Sequence, residues 1–399
     1  MKPMYPRRAR ILQRAALLAM LVSPALTSAA PPASSQCKLA AVAQIPVDMK
    51  SLRPMIAATI DGHASNMLID TGSGTSLIFR SAAAAFGLHV VEGRGKSYAA
   101  GGIEYLGRVE VRDFDVAGFV VHNLILDAAG HSTMHAGAGV LGENFLFHWD
   151  EEFDPTAGVL RLMVPKDCTG DQVVYWAPQY SVVKLVSVVS RDADWSRLLL
   201  AEVQLNGHDV LALFDTGAAH SIVTTDVAKR PGLHPTIETA TGRQGGGLGS
   251  AHFAVDTAVF PTITIGQETI QNPRMEVADI FAKDKEAKRG SMIASSPEGQ
   301  PEMLIGMDFF RAHRVYVARG QRKMYFTYLG GPVFLTNSEL AARAQPAAPP
   351  GTAPGAAAAP TSAAPTPGAT AGAPMVPPDQ APPQAAPPPG DTPNPATPK

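Results

Sequence analysis

Two aspartates carry the chemistry open to this chain. Asp70 lies in Met67-Leu68-Ile69-Asp70-Thr71-Gly72-Ser73-Gly74, and Asp215 lies in Leu213-Phe214-Asp215-Thr216-Gly217-Ala218. One tetrapeptide of Asp, Ser or Thr, Gly and a small residue is expected by chance in roughly a few per cent of chains this long. Two of them, each entered through apolar residues, need a common cause, and internal duplication supplies one. Hydrolysing an amide without a metal or a covalent intermediate takes one group to deprotonate water and another to protonate the substrate. Two carboxylates about 3 Å apart do both, because like charges that close cannot both ionise and so share a proton. Glycine after each threonine lets the two turns approach closely.

The surrounding elements repeat with the aspartates. Met55 to Ile60 reads as a strand, Asp61-Gly62 as a hairpin turn and Met67 to Ile69 as the returning strand. In the second copy Leu198 to Leu205, Asn206-Gly207 and Val210 to Phe214 take these places, and turn and aspartate both recur 145 residues on. His63 and His208 share one offset. Each copy leaves its aspartate through a short apolar strand, Leu77-Ile78-Phe79 or Ile222-Val223, with a brief helix after it (Ser81 to Phe86, Thr225 to Lys229). Glycine-rich segments follow, with Gly101 and Gly102 in the first copy and Gly245 and Gly246 in the second. Glycine within a β pattern marks a bend or a close backbone approach, as at a hairpin tip over a cleft. Alternating stretches come next, Val109 to Phe119 and Phe253 to Ile265.

Each copy closes on apolar residues and a glycine, Val140-Leu141-Gly142 and Leu304-Ile305-Gly306. These glycines stand 164 apart, so the second copy carries 19 more residues, placed in the polar run Asp279 to Gln300. Final hairpins are expected around Asp154-Pro155-Thr156 and Arg319-Gly320-Gln321.

At 399 residues there is room for two domains and accessory segments. A net charge of −2 gives no electrostatic reason to expect nucleic acid. With only 17% charged residues, 36 Gly and 35 Pro, the composition suits a turn-rich β protein with a low-complexity segment. Residues 1–29 read as an export signal. Lys2, Arg7, Arg8, Arg10 and Arg14 form its basic region, Ala15 to Val22 is an apolar stretch too short to span a bilayer, and small residues end at Ala29. In an oxidising compartment Cys37 and Cys168 most simply form one disulfide bracketing the first copy; the alternative is two free thiols. Residues 336–399, rich in Pro and Ala, cannot bury enough apolar surface to order themselves and are expected to be disordered.

On both Asp-Thr-Gly-small motifs and both apolar-apolar-Gly elements, the chain resembles the aspartic peptidases, and more closely the retropepsin-like members exported by bacteria. The resemblance covers roughly residues 40 to 330. It implies an all-β fold of two tandem β-barrel lobes related by pseudo-twofold symmetry, residues 37–168 and 169–335. It implies that Asp70 and Asp215 are the catalytic pair and that Thr71 and Thr216 bond across the lobe interface. Gly72 with Ser73 and Gly217 with Ala218 complete the turns, and Gly101, Gly102, Gly245 and Gly246 belong to flaps over an extended peptide. The activity implied is an endopeptidase, periplasmic or secreted, acting as a monomer with no cofactor, no nucleic acid and no membrane span after signal cleavage. The chain departs from the pattern in its unequal lobes, in Asn144 standing opposite Asp308, and in lacking a clear flap tyrosine beyond Tyr98 or Tyr105. A hydroxyl at Ser73, absent at Ala218, suggests that Asp70 is the ionised base and Asp215 the acid.

The remaining candidates read blandly. His131 and His135 share a helical spacing but no third ligand, so no metal is expected. Asp150-Glu151-Glu152 with Asp154 reads as a solvated hairpin end rather than a calcium loop. Gly-x-Ser-x-Gly is absent. The competing function is a peptide-binding module of the same fold without turnover; a second competing arrangement pairs each lobe with another chain.

Overall fold

The computed structural model describes residues 37–49, 52–130, 137–189, 196–248, 252–280 and 300–334. The export signal, the Pro/Ala-rich tail, His131, His135 and most of the 279–300 excursion lie outside the described residues. Regular structure in what is described is mostly β-strand, with helices of one or two turns and the rest in turns and connections.

The first copy forms a seven-stranded sheet in the order Met55–Ile60, His63–Ile69, Gly139–Leu141, Leu77–Phe79, Phe119–Ala129, Gly102–Val116, Val91–Ala99. A further pairing of Met55–Ile60 with Gly102–Val116 closes it towards a barrel. The second copy repeats that order with Leu200–Leu205, His208–Phe214, Met303–Ile305, Ile222–Thr224, Arg274–Ala278, Phe253–Val259 and Thr236–Gly245. The opening hairpins turn on Asp61 (φ 46°) with Gly62 (φ 82°) and on Asn206 (φ 48°) with Gly207 (φ 76°). These are the paired positive φ values that favour Asp-Gly and Asn-Gly in tight hairpins. Leu77–Phe79 and Gly139–Leu141 are buried along their whole length, which is why they read as unbroken apolar runs.

Two stretches read as continuous are broken. Ala117 (φ 51°) and Gly118 (φ 86°) turn the chain inside Val109 to Phe119, and Phe253 to Ile265 divides into Phe253–Val259 and Thr262–Ile265. Local alternation carries across such tight turns, so the pattern alone hid them.

Between the two copies lies a bridge that the linear reading did not contain. Lys38–Pro46, Val159–Lys166 and Asp150–Asp154 come from the first copy and His313–Ala318, Lys323–Tyr328 and Ser181–Val186 from the second, all in one continuous ladder. The join is antiparallel, with Phe153 opposite Val315 and Glu152 opposite Tyr316. Cys37 and Cys168 form a disulfide at the outer end of this ladder, beside the Lys38–Lys166 pair. One core runs through both copies, with Phe153 edge-on to Phe310 at 5.8 Å and Phe214 edge-on to Phe309 at 5.6 Å.

The carboxylates expected at a solvated hairpin end are buried in this bridge. Asp150, Glu151, Glu152 and Asp154 are at most 7% exposed. Arg319 reaches Glu151 at 2.7 Å and Glu143 at 2.9 Å. Glu152 receives Arg314 Nε at 2.8 Å, Arg161 at 2.8 Å and the Tyr175 hydroxyl at 2.6 Å. Arg161 is local, but Arg314 and Arg319 lie far along the chain, so the charge run looked like surface when it was half of a buried ionic network.

Candidate active site

Asp70 and Asp215 end two strands that the fold drives together. The amide of Asp70 donates to Leu141 O at 3.0 Å and that of Asp215 to Ile305 O at 2.9 Å. Each aspartate therefore follows a strand paired in parallel with its own closing element, Ile69 beside Leu141 and Phe214 beside Ile305.

The threonines lock the turns to each other. Thr71 Oγ1 donates to Phe214 O at 2.8 Å and accepts the Thr216 amide at 3.0 Å. Thr216 Oγ1 donates to Ile69 O at 2.8 Å and accepts the Thr71 amide at 3.0 Å. Both threonines are buried, so each bond is worth about 1 kcal/mol and losing a partner costs more than that. Glycine is required next to them. A Cβ on Gly72 would fall 2.4 Å from Asp215 Cγ, and one on Gly217 would fall 2.4 Å from Asp70 Cγ.

The two carboxyls are hydrogen-bonded to each other, and burial raises the pKa of both. Asp70 is pushed well above the carboxylate range, first by burial and then by its neighbour's charge, with the Gly72 amide (2.9 Å) and the Arg53 charge opposing. Asp215 is raised by burial but accepts the Asp70 hydrogen bond and the amides of Gly217 (2.8 Å) and Ala218 (3.2 Å), which favour its ionised form. Two backbone amides favour negative charge on Asp215 against one on Asp70. The Ser73 hydroxyl donates to Thr75 O at 2.8 Å and not to Asp70, so the donor expected to favour an ionised Asp70 is directed elsewhere. The backbone amide of Ala218, invisible in a comparison of side chains, tilts the pair the other way.

Beneath the turns, Asn144 and Asp308 perform one task. Asn144 Oδ1 accepts the amide and hydroxyl of Ser76 at 2.6 and 2.7 Å, and Asp308 accepts those of Ser221 at 2.8 and 2.6 Å. Each serine hydroxyl then accepts the amide of Gly142 or Gly306. Ser76 and Ser221 keep the 145-residue offset and were findable by it. Asp308 is the costly version, since burial pushes its pKa up to about 7. A raised folded-state pKa gives stability present at low pH and lost as pH rises through that value. Unfolding free energy should therefore fall between about pH 4 and 7. Asp308→Asn, copying Asn144, should flatten that slope by on the order of 2–4 kcal/mol; urea unfolding across this range checks it, and an unchanged slope would exonerate Asp308.

The pair lies at the floor of a cleft of about 640 Å³ lined from both copies. Over it hang the two glycine-rich segments. Gly101 and Gly102 form the turn between Val91–Ala99 and Gly102–Val116, with φ of 89° and 115°. Gly245 and Gly246 line the cleft, and Gly247 lies against the carbonyl of Ala100, so the two tips meet. Leu248 crosses from the second copy to pack with Leu68, Leu77 and Phe79 of the first. Tyr105 is 60% exposed under Lys96 Nζ (5.5 Å) and does not line the cleft. Arg53, His220 and Glu276 line it without having been singled out in the sequence. Arg53 also lowers the pKa of both aspartates through its charge. Among the described residues no cluster of His, Cys, Asp and Glu could hold a metal, and no helix is long and apolar enough to cross a membrane.

A family model described as Aspartyl protease matches residues 56–145 and 201–309. Among solved structures, the aspartic proteinase from Irpex lacteus aligns over 73% of this chain and 97% of its own, at 9% identity and a TM-score of 0.41. No curated protein matches the chain.

Proposed function

The chain belongs to the aspartyl protease family, and from that premise we propose that it is an exported endopeptidase whose two aspartates activate one water against a peptide bond. The observation that carries this reading is the hydrogen-bonded Asp70–Asp215 pair, held by reciprocal threonine bonds at the floor of an open cleft. Asp215, ionised, takes a proton from water as the oxygen attacks the carbonyl carbon, and Asp70 gives its proton to the carbonyl oxygen. The resulting gem-diol collapses with cleavage of the C–N bond: the proton gained by Asp215 goes to the amine nitrogen, one hydroxyl returns its proton to Asp70, and the carboxylic acid and amine leave with the pair restored. The two tips, meeting over the cleft, close on an extended peptide and exclude bulk water.

In this reading residues 1–29 are removed on export, residues 37–168 and 169–335 are the two lobes, and residues 336–399 are a disordered extension. The protein works as a monomer, because one chain supplies both aspartates, and it acts in the periplasm or outside the cell. The Cys37–Cys168 disulfide supports an oxidising compartment. The test is incubation of the mature chain with a mixed peptide library from acid to neutral pH, with and without a statine-type inhibitor. Cuts that the inhibitor blocks are expected; a library recovered intact at every pH would leave a peptide-binding module.

A further inference from the structure

We propose that Glu276 determines specificity in the second-copy half of the cleft and selects a lysine or arginine side chain beside the scissile bond. The proposal rests on the reading that this cleft holds a peptide. Glu276 is only 3% exposed, yet it lines the cleft. It lies on Arg274–Ala278, opposite Ile222 in one neighbouring strand and Thr257 in the other. Met275 and Val277 of this strand enter the main core, whereas Ala278 joins the separate apolar cluster of Leu304, Ile222 and Phe253. By strand alternation Glu276 shares that second face. Its carboxylate thus stands on an apolar wall, where a charge is favourable only beside an opposite one. Glu276 already has an interaction within the chain, so an incoming cation joins or replaces it.

The first copy treats the matching position differently. Asp127 stands opposite Leu77 as Glu276 stands opposite Ile222. It is one methylene shorter and is hydrogen-bonded by the Thr75 side chain, whose place the second copy fills with His220. The first-copy wall of the cleft is apolar, built from Leu68, Leu77, Phe79 and Leu106, and it already accommodates an aliphatic side chain, Leu248. That half also carries Arg53 and Lys96. Two cations on one side and a carboxylate on the other give the cleft a polarity. A basic side chain is disfavoured on the first-copy half and favoured on the second, so the substrate is read with an aliphatic residue on one side of the cut and a basic residue on the other.

The test uses peptides with leucine on one side of a single cleavable bond and Lys, Arg, Gln or Leu on the other, in both orientations. Matching peptides carry a reduced, uncleavable bond. Cleavage and equilibrium binding are measured with the mature wild-type chain, Glu276→Gln and Glu276→Leu. Wild type should favour Lys and Arg over Gln by about tenfold or more in one orientation, and both variants should bring that ratio near one. A wild type indifferent to the basic residue, or a ratio that survives both substitutions, overturns the proposal. The uncleavable peptides separate this from the peptidase reading: a binding preference without hydrolysis would sink that reading and support this one, and hydrolysis without preference would do the reverse. Because Glu276→Leu removes a buried charge, it guards against loss of fold in the other variant; thermal unfolding of both checks this.

Discussion

An Asp215→Asn chain should fold as wild type does and lose at least about 10³-fold in peptide turnover. Asparagine keeps the shape of the side chain and can still accept the Gly217 and Ala218 amides at Oδ1. It offers no charge to draw a proton from water, and its amide nitrogen cannot accept the proton that Asp70 shares. Gly217→Ala reaches the same end by geometry. Its methyl would fall 2.4 Å from Asp70 Cγ, so the carboxyl must move although no titratable group has been lost. A displacement of about 1 Å costs on the order of 10²-fold. Steady-state hydrolysis of one library-derived peptide, with circular dichroism and urea unfolding as controls, reads both variants. Asp215→Asn activity within tenfold of wild type would remove Asp215 from the chemistry.

The largest stability effect is expected at Arg319→Met. Arg319 donates to Glu143 and Glu151, which are 0% and 4% exposed, and its own amide donates to Asp150 at 2.8 Å. Burial raises Glu151 to about 7 and Glu143 well above the carboxylate range, with Arg319 opposing both shifts. Removing the cation leaves two carboxyls buried against each other, a loss of about 3–5 kcal/mol when they are charged. The pH dependence has a definite sign. Without Arg319 the folded-state values rise further, so both groups hold protons at low pH and the deficit is small. It grows as pH climbs through about 7, where the wild type keeps its carboxylates paired and the variant does not. Urea unfolding of both proteins at pH 5 and pH 8 measures this, and an equal deficit at the two pH values would reject ionic pairing as the cause.

The paired aspartates were legible because duplication prints them twice at a fixed interval. The opening turns were legible because Asp61-Gly62 and Asn206-Gly207 tolerate the paired positive φ that a tight hairpin needs and most other pairs resist. What the sequence hid depended on distant partners. Glu151 and Glu152 look like surface until Arg319 and Arg314 arrive from the other copy. Glu276 stands between Met275 and Val277 in a short strand, and only the pairing with Ile222 shows which wall it joins. The Ser73 hydroxyl was hidden for a different reason. Oxygen within reach of a carboxylate is not oxygen aimed at it, and here the Thr75 carbonyl was closer to hand. Asn144 and Asp308 looked like a divergence between the copies but make equivalent bonds, because a serine hydroxyl and amide need only an acceptor.

The ladder shared between the copies bears on how this chain could have arisen and how it can be cut. Three of its strands belong to each copy, and their hydrogen bonds meet at a single seam between Asp150–Asp154 and His313–Ala318. A gene severed between the copies would deliver two polypeptides, each exposing a bare strand edge at that seam and a fringe of carboxylates or guanidinium groups without their counterions. Such pieces would seek each other, or themselves, before they could stand alone. Fusion here is therefore more than a tether: it keeps together two mutually dependent halves, one contributing the acids and the other most of the bases of a common spine.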